Sequence, residues 1–217
     1  TNNLQDTDTD SVSNPGRPTV SGTISLGKYR IVAALSFLLS LSFTVLSGLL
    51  GASFDFVFVL AFMANYYLYS MPPLRLKRVP FFSKLLISAN ALIMLAAGDY
   101  FGTSQFGLPG QWVAYFLLVM TGVFNFIDLK DYEGDRRAGI WTLPVLLGPA
   151  RAKLLISAFF AAAYAGLFLL MKGTPLSYFI LPLFTLQVIF LNREDYRERL
   201  VLWTAAASIL LVLLHFW

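Results

Sequence analysis

Residues Ile31–Leu50 read IVAALSFLLSLSFTVLSGLL and contain no charged side chain. A helix needs about 20 apolar residues to cross the hydrocarbon core of a bilayer, which is roughly 30 Å thick. This segment therefore has the length and the composition of a membrane-spanning helix.

Six further uncharged runs follow this segment along the chain. They are Phe56–Leu74, Leu85–Gly98, Tyr100–Ile127, Leu154–Met171, Gly173–Asn192 and Leu200–Trp217. The run Leu85–Gly98 reaches spanning length only if its helix begins near Pro80 and Lys84 extends its ammonium group toward the interface. A buried helix of a soluble protein would not recur seven times in succession. The sequence therefore predicts an all-α, polytopic transmembrane bundle with seven spans.

The overall composition agrees with a membrane protein. Hydrophobic residues make up 57% of the chain and charged residues 13%, whereas soluble domains carry about 25% charged residues. In water such a chain would expose extensive apolar surface, which soluble proteins avoid, so the lipid bilayer is its expected solvent. No linker or low-complexity tract interrupts the sequence, and we expect a single domain over residues 1–217.

The basic residues are distributed unevenly between the two sides of the predicted membrane. If successive spans alternate in direction, all sixteen Lys and Arg residues except Lys172 share one face. Basic residues accumulate on the cytoplasmic side, so this face is predicted to be cytoplasmic. The net charge of +4 then indicates topology rather than nucleic-acid binding. We expect a multi-pass protein of the cell membrane with its functional loops in the cytoplasm, and neither a nucleic-acid partner nor an obligate protein partner.

Acidic side chains gather at two predicted cytoplasmic helix ends. Asp6 and Asp10 are spaced one helical turn apart. On a regular helix Asp128, Asp131 and Asp135 fall within an arc of roughly 60°. Aligned carboxylates repel one another unless a cation joins them, and oxygen ligands suit Mg²⁺, which takes only one or two carboxylates and completes its shell with water and phosphate. The spacing favours a pair of Mg²⁺ ions bridging a diphosphate, and the alternative is a pair of solvated acidic loops.

Three segments of the chain match the motifs of a known enzyme family. They read NNLQDTDTDSVSNPGRPTVSGTIS at Asn2–Ser25, YSMPPLRLKR at Tyr69–Arg78 and DLKDYEGDRRAGIWTLPVLLG at Asp128–Gly148. The first resembles the N-D-x-x-D-x-x-x-D and x-P-x-R-P pattern of the UbiA superfamily of intramembrane prenyltransferases. The second resembles the Y-S-x-P-P-x-[KR]-x-K loop of that family, and the third its D-x-x-D-x-E-G-D and G-x-x-T-L-P pattern. The resemblance covers essentially the whole chain.

The resemblance implies a role for each motif residue. The implied Mg²⁺ ligands are Asn2, Asp6, Asp10, Asp128, Asp131 and Asp135, and the five aspartates among them form the implied catalytic set. The diphosphate would contact Arg17 and Lys130, with Arg75 and Lys77 as further candidates.

The implied reaction is the transfer of a prenyl group from a prenyl diphosphate to a hydrophobic or aromatic acceptor. Mg²⁺ and basic side chains would neutralise the charge on the leaving diphosphate, and the ring of Tyr69 could shield the allylic cation. Asn125 lies one turn before Asp128 on the same face and is expected to line the site. The other amides at membrane depth, Asn65, Asn90 and Gln187, are expected to form interhelical hydrogen bonds.

Several alternatives stay open at this point. Family members have nine transmembrane helices with the first motif after the second helix, so the chain is expected to be a fragment without those two helices, and such a fragment could be inactive. A secondary transporter with an acidic cation site would place its ionisable residues near mid-membrane, whereas these lie at helix ends. A CDP-alcohol transferase is disfavoured because its D-G-x-x-A-R signature is absent.

The identity of the acceptor is also open. The motifs resemble those of family members acting on chlorophyllide or archaeal glyceryl-phosphate lipids, and 4-hydroxybenzoate, homogentisate and naphthoate are further candidate acceptors.

Overall fold

The structure, a computed structural model, describes residues 4, 6–51, 53–79 and 82–216. This part consists of α-helices and short 3-10 turns joined by loops, with no β-strand in it, so the prediction of an all-α fold is confirmed. The helices are α1 (Thr7–Ser13), α2 (Leu26–Leu49), α3 (Ser53–Ser70), α4 (Phe82–Thr103), α5 (Gly110–Thr121), α6 (Asp128–Ala138), α7 (Leu143–Leu147), α8 (Pro149–Leu170), α9 (Ile180–Asn192) and α10 (Glu198–Phe216). The 3-10 turns are Leu76–Arg78, Val123–Ile127 and Pro175–Phe179.

Six helical segments of the described residues are long and apolar enough to cross a membrane. They are Leu26–Leu49, Phe82–Thr103, Gly110–Ala138, Pro149–Leu170, Pro175–Asn192 and Glu198–His215. Helix α3 corresponds to the remaining predicted span and forms a shorter apolar helix over Phe56–Ser70. The predicted polytopic helical bundle is confirmed.

Two boundaries of these segments differ from the sequence prediction. Helix α4 begins at Phe82, close to the start near Pro80 that a full span required, and it continues beyond the run Leu85–Gly98 to Thr103. Helix α5 begins at Gly110, within the uncharged run Tyr100–Ile127, and the first residues of that run still belong to α4. Pro109 takes an extended conformation (φ −60°, ψ 132°) in front of α5, and a proline fixes φ without a backbone N–H. Apolar composition alone could not show this turn.

The chain divides into two compact units. The first comprises Thr1–Leu108 and Glu133–Trp141, and the second comprises Pro109–Tyr132 and Thr142–Trp217. Helix α6 contributes residues to both units. The expectation of a single domain stays a prediction.

In the first unit, α3 packs against α2 and α4, and the 3-10 turn Leu76–Arg78 packs against α3 and α4. The Asn65 side chain of α3 donates hydrogen bonds to the Asn90 side chain (2.8 Å) and to the Leu86 carbonyl (2.7 Å) of α4. Asn65 is buried, and a buried amide among apolar helices is stabilised by such bonds. The expected interhelical role of Asn65 and Asn90 is confirmed.

The second unit contains a core of buried apolar side chains centred on α8. Ile156, Phe160 and Leu167 of this helix are fully buried, and α8 packs against α5, α7, α9 and the 3-10 turn Val123–Ile127. Phe126 of that turn is also fully buried. Its carbonyl accepts a hydrogen bond of 2.7 Å from the Tyr196 hydroxyl. The core therefore fixes the turn that immediately precedes Asp128.

Candidate functional site

The first pair of predicted site residues lies at the start of α1. Asp6 occupies the N-cap position, and the backbone N–H of Asp10 donates to the Asp6 carbonyl over 2.7 Å. The two residues are 8% and 4% exposed. The helical alignment expected from their spacing is therefore present, and both acidic residues are buried.

Three basic side chains neutralise these two carboxylates. Lys77 Nζ and Arg75 Nη2 both donate to Oδ1 of Asp6, the second over 2.9 Å. Arg17 Nη1 donates to Oδ2 of Asp10 over 2.5 Å. Because an unpaired charge is costly away from water, these cations stabilise the buried carboxylates. The structure thus brings together Asp6, Asp10 and the three basic residues within the first unit.

The loop after α3 holds two of these cations in place. Arg75 has a left-handed backbone (φ 41°, ψ 53°), which costs a non-glycine residue roughly 1–2 kcal/mol. Its backbone N–H donates to the Met71 carbonyl over 2.9 Å. Burial lowers the pKa of Lys77, and the hydrogen bond and negative charge of Asp6 oppose that shift. The loop therefore presents two cations, one of them buried, to a single carboxylate oxygen.

The second acidic row lies on α6. Asp128 begins this helix directly after the 3-10 turn Val123–Ile127, and Asp131 and Asp135 follow on it. Asp128 and Asp131 are half-buried, whereas Asp135 is buried. The first two belong to the second unit, and Asp135 belongs to the first. That the two acidic rows share one pocket stays a prediction.

Lys130, a predicted diphosphate ligand, forms an ion pair within the second unit. Its ammonium group donates to Oε2 of Glu198 over 2.7 Å. On a regular helix Lys130 projects away from the face that carries Asp128 and Asp131, and this ion pair is consistent with that geometry.

The roles expected for the remaining site residues, Asn125, Tyr69 and Asn2, stay predictions. The Asn125 side chain is buried and donates to the carbonyls of Thr121 (2.7 Å) and Gly122 (2.8 Å). Tyr69 is half-buried near the end of α3. Asn2 lies outside the described residues.

Sequence reasoning missed three polar residues that support the acidic rows. Asn14 donates from its side chain to Oδ1 of Asp10 over 3.3 Å, and its position four residues after Asp10 could have indicated this contact. Tyr196 binds the turn before Asp128, and Glu198 binds Lys130. No local spacing indicates these last two contacts, because they join segments about 70 residues apart.

The donor atoms at Asp6 and Asp10 fit a hard divalent cation. Both side chains offer only oxygen, and two carboxylates are as many as one Mg²⁺ ion typically takes from a protein. Within the described part of the chain, no group of three or more His, Cys, Asp or Glu side chains is placed to hold a metal ion. Asp6 and Asp10 by themselves therefore offer only part of the coordination shell of such an ion.

The chain matches a known protein family over most of its length. The sequence model of the UbiA prenyltransferase family covers residues 1–199. The chain belongs to this family. All three motif segments lie within the matched part. The UbiA prenyltransferase assignment thus agrees with the resemblance drawn from the motifs.

Relatives of this UbiA-family chain differ in the substrates or products that their names state. It is 31% identical to homogentisate solanesyltransferase of Arabidopsis thaliana over 75% of the chain and 44% of the relative. It is 31% identical to digeranylgeranylglyceryl phosphate synthase of Pyrococcus abyssi over 73% and 54% of the two chains. It is 33% identical to the bacteriochlorophyll synthase 33 kDa chain of Rhodobacter capsulatus over 68% and 49%. The chain spans about half the length of the curated relatives it matches, and no solved structure matches it significantly.

Proposed function

We propose that the protein transfers a prenyl group from a prenyl diphosphate to a hydrophobic or aromatic acceptor within the membrane, in an Mg²⁺-dependent reaction. The observation that carries this proposal is the cluster in which the buried Asp6 and Asp10 meet Arg17, Arg75 and Lys77. Buried carboxylates suit a divalent cation, and neighbouring basic groups suit phosphate oxygens. Membership of the UbiA prenyltransferase family supports the same chemistry.

In this proposal the acidic residues hold Mg²⁺. The ligands are Asn2, Asp6, Asp10, Asp128, Asp131 and Asp135. When bound, Mg²⁺ neutralises the negative charge that develops on the departing diphosphate. The carboxylates have to lie in one pocket for this purpose, which is the central geometric requirement of the proposal.

The basic residues then bind the diphosphate oxygens. Arg17 and Arg75 can offer paired N–H donors and Lys77 a compact ammonium charge. At present each of these groups binds a carboxylate that the metal would also require. With a metal diphosphate bound, Asp6 and Asp10 would hold the cation, and Arg17, Arg75 and Lys77 would bind the anion, so both sets would keep partners of opposite charge. Mg²⁺ and diphosphate are therefore expected to bind together rather than separately.

Three more residues complete the proposed site. Lys130 would reach the diphosphate after giving up its ion pair with Glu198. Asn125 would line the pocket beside Asp128, and the Tyr69 ring would shield the allylic cation. The site is proposed to open to the cytoplasmic side of a cell membrane, because the positive-inside pattern predicts that the motif loops lie on that side.

The acceptor is proposed only as a class. Identities of 31% to 33% to relatives named for homogentisate, glyceryl phosphate and bacteriochlorophyll chemistry do not separate these classes. A hydrophobic or aromatic nucleophile that partitions into the bilayer fits all of them. The motifs resemble those of family members acting on chlorophyllide or glyceryl-phosphate lipids, so these two acceptors should be tested first.

The test uses the protein in lipid nanodiscs with labelled geranylgeranyl diphosphate. The acceptors are chlorophyllide, geranylgeranylglyceryl phosphate, homogentisate, 4-hydroxybenzoate and dihydroxynaphthoate. We expect a labelled product with at least one acceptor when Mg²⁺ is present and none in EDTA. Transfer that persists in EDTA, or that survives Asp10→Ala combined with Asp135→Ala, would refute the proposal.

A further inference from the structure

The loop between α9 and α10, residues 193–197, contacts the turn that precedes Asp128. The Tyr196 hydroxyl of this loop donates to the Phe126 carbonyl over 2.7 Å, and Phe126 is fully buried in the core of the second unit. The backbone N–H of Asp128 donates to the carbonyls of Asn125 and Phe126. The Phe126 carbonyl therefore joins the loop to the first residue of α6.

The chain directly after the loop contacts the other side of Asp128. Glu198 begins α10 and accepts a hydrogen bond of 2.7 Å from the Lys130 ammonium group. Tyr196 and Glu198 are two positions apart, and their partners at positions 126 and 130 flank Asp128 in the sequence. The position of Asp128 therefore depends on where residues 196–198 lie.

Lys153, near the start of α8, holds this loop in place. Its ammonium group donates to the Arg193 carbonyl over 2.8 Å and lies 5.6 Å from the centroid of the Tyr196 ring. Arg193 is the C-cap residue of α9, and a cation is favourable at a helix C-terminus. A cation within about 6 Å of an aromatic ring is attracted to the face of that ring. One ammonium group therefore binds both the beginning of the loop and the residue that reaches the turn.

The charge of Lys153 alone would not indicate such a role. Basic residues at cytoplasmic helix ends are expected from the positive-inside pattern, and Arg151 of the same helix is an exposed example. Lys153 differs because its ammonium group binds a carbonyl and an aromatic ring of a neighbouring segment. The contacts form a continuous path from α8 through Tyr196 to the turn before Asp128.

We propose that Lys153 and Tyr196 are positioning residues of the proposed Mg²⁺ site, which hold Asp128 where its carboxylate can bind the metal. Lys153 acts on the loop and Tyr196 acts on the Phe126 carbonyl, so neither side chain binds the metal or the diphosphate in this role. This inference rests on the proposed function, in which Asp128 is a metal ligand. A ligand that is already held in place binds without the cost of ordering it, so loosening the path should weaken Mg²⁺ binding.

The test measures the Mg²⁺ concentration at which the protein in nanodiscs retains half of the maximal amount of ³²P-labelled pyrophosphate. Tyr196→Phe should raise this concentration about fivefold, the effect of losing one neutral hydrogen bond. Lys153→Met should raise it about threefold, the effect of losing an exposed cation–π contact. Lys153→Arg keeps the charge and the N–H donors and should restore the unmodified value. An unchanged value for Tyr196→Phe would overturn the proposal.

Arg151→Met is the matched control for Lys153→Met, because it removes an equal charge from an exposed position of the same helix. It should leave the Mg²⁺ concentration unchanged, since exposed charges contribute little. Equal shifts in the two variants would attribute the effect to overall charge and overturn the proposal. The double variant Lys153→Met with Tyr196→Phe should need little more Mg²⁺ than Tyr196→Phe, because both act through one path. Fully multiplicative effects would also overturn the proposal.

Tyr164→Phe separates positioning from a general loss of stability. It removes the same atom from another buried tyrosine of the second unit, whose hydroxyl forms hydrogen bonds with Gln187 and Ser208. It should lower the unfolding temperature but leave the Mg²⁺ dependence unchanged, and an equal Mg²⁺ shift would overturn the positioning role. If the unmodified protein retains no pyrophosphate at any Mg²⁺ concentration, the proposed function itself fails together with this inference.

Discussion

Lys77 donates a hydrogen bond to Oδ1 of Asp6, although 71 positions separate the two residues in the sequence. Their side chains are only 7% and 10% exposed, and Arg75 donates to the same oxygen. Removing one partner of a buried ion pair leaves the other charge poorly compensated. The contact therefore joins the loop after α3 to Asp6 at the start of α1. Lys77 and Arg75 together compensate the charge of the Asp6 carboxylate.

Replacement of Lys77 by Met is expected to lower prenyl transfer at least tenfold. The variant loses one of the cations proposed to bind the diphosphate, so most of the effect should be a higher KM for prenyl diphosphate. Arg75 still pairs with Asp6, which preserves the loop. Initial rates at varied diphosphate concentration measure the effect.

The control for this variant is Arg78→Met, which removes an equal charge from an exposed position in the same 3-10 turn. It should keep its rate within about twofold, since exposed charges contribute little. Similar losses in both variants would attribute the effect to the overall charge of the loop and contradict a specific role for Lys77.

Replacement of Asp10 by Asn is expected to lower the Mg²⁺-dependent rate at least a hundredfold, a loss typical of removing one electrostatic group from an active site. The amide keeps the size of the side chain but loses the charge that binds Mg²⁺. The Mg²⁺ concentration for half-maximal rate should rise in parallel. Asp195→Asn is the control, because Asp195 is 63% exposed and pairs with Arg197 at the surface. An unchanged Mg²⁺ dependence of the Asp10 variant would argue against metal binding there.

The sequence predicts the helices well because most of the apolar runs lie largely within one helix. It predicts their ends less well, as the boundary between α4 and α5 shows, because residues 100–109 are uncharged and continue the run although the chain turns before Gly110. The spacing of Asp6 and Asp10 predicts their alignment, since one turn of helix is a local relationship. The ion pairs of Asp6 with Lys77 and of Asp10 with Arg17 depend on how distant or irregular segments pack. No periodicity of the sequence predicts these pairs. At Gln187, a polar side chain within an apolar run predicted the hydrogen bond to a neighbouring helix.

Tyr196→Phe is expected to destabilise the protein by about 1 kcal/mol at neutral pH, because the hydrogen bond to the Phe126 carbonyl is lost. Burial raises the pKa of Tyr196, and the negative charge of Glu198 raises it further. The folded state thus holds the phenolic proton more tightly than the unfolded state. This stabilisation is complete below a pH of about 10, the unfolded pKa, and is lost as the pH rises toward the higher pKa of the folded protein.

The stability difference between the wild type and Tyr196→Phe should therefore shrink above pH 10. Thermal unfolding in detergent at pH 7.5 and pH 10.5 measures this change. Tyr178→Phe serves as control, because Tyr178 is 83% exposed, and it should differ little from the wild type at pH 7.5. A difference for Tyr196→Phe that stays constant with pH would contradict the assigned cause.

Gly122→Ala is expected to destabilise the second unit by about 1–3 kcal/mol, the usual cost of overpacking. A Cβ atom at Gly122 would lie 2.7 Å from Cδ1 of Phe159, whereas one at Gly166 would lie an ordinary 3.6 Å from the Tyr115 ring. Gly166→Ala should instead be neutral or stabilising, since alanine favours a helix interior by up to about 1 kcal/mol. Thermal unfolding of both variants in the same detergent compares them, and equal shifts would contradict the close contact with Phe159. Because Gly122 leads into the turn that ends at Asp128, Gly122→Ala should also slow prenyl transfer several-fold.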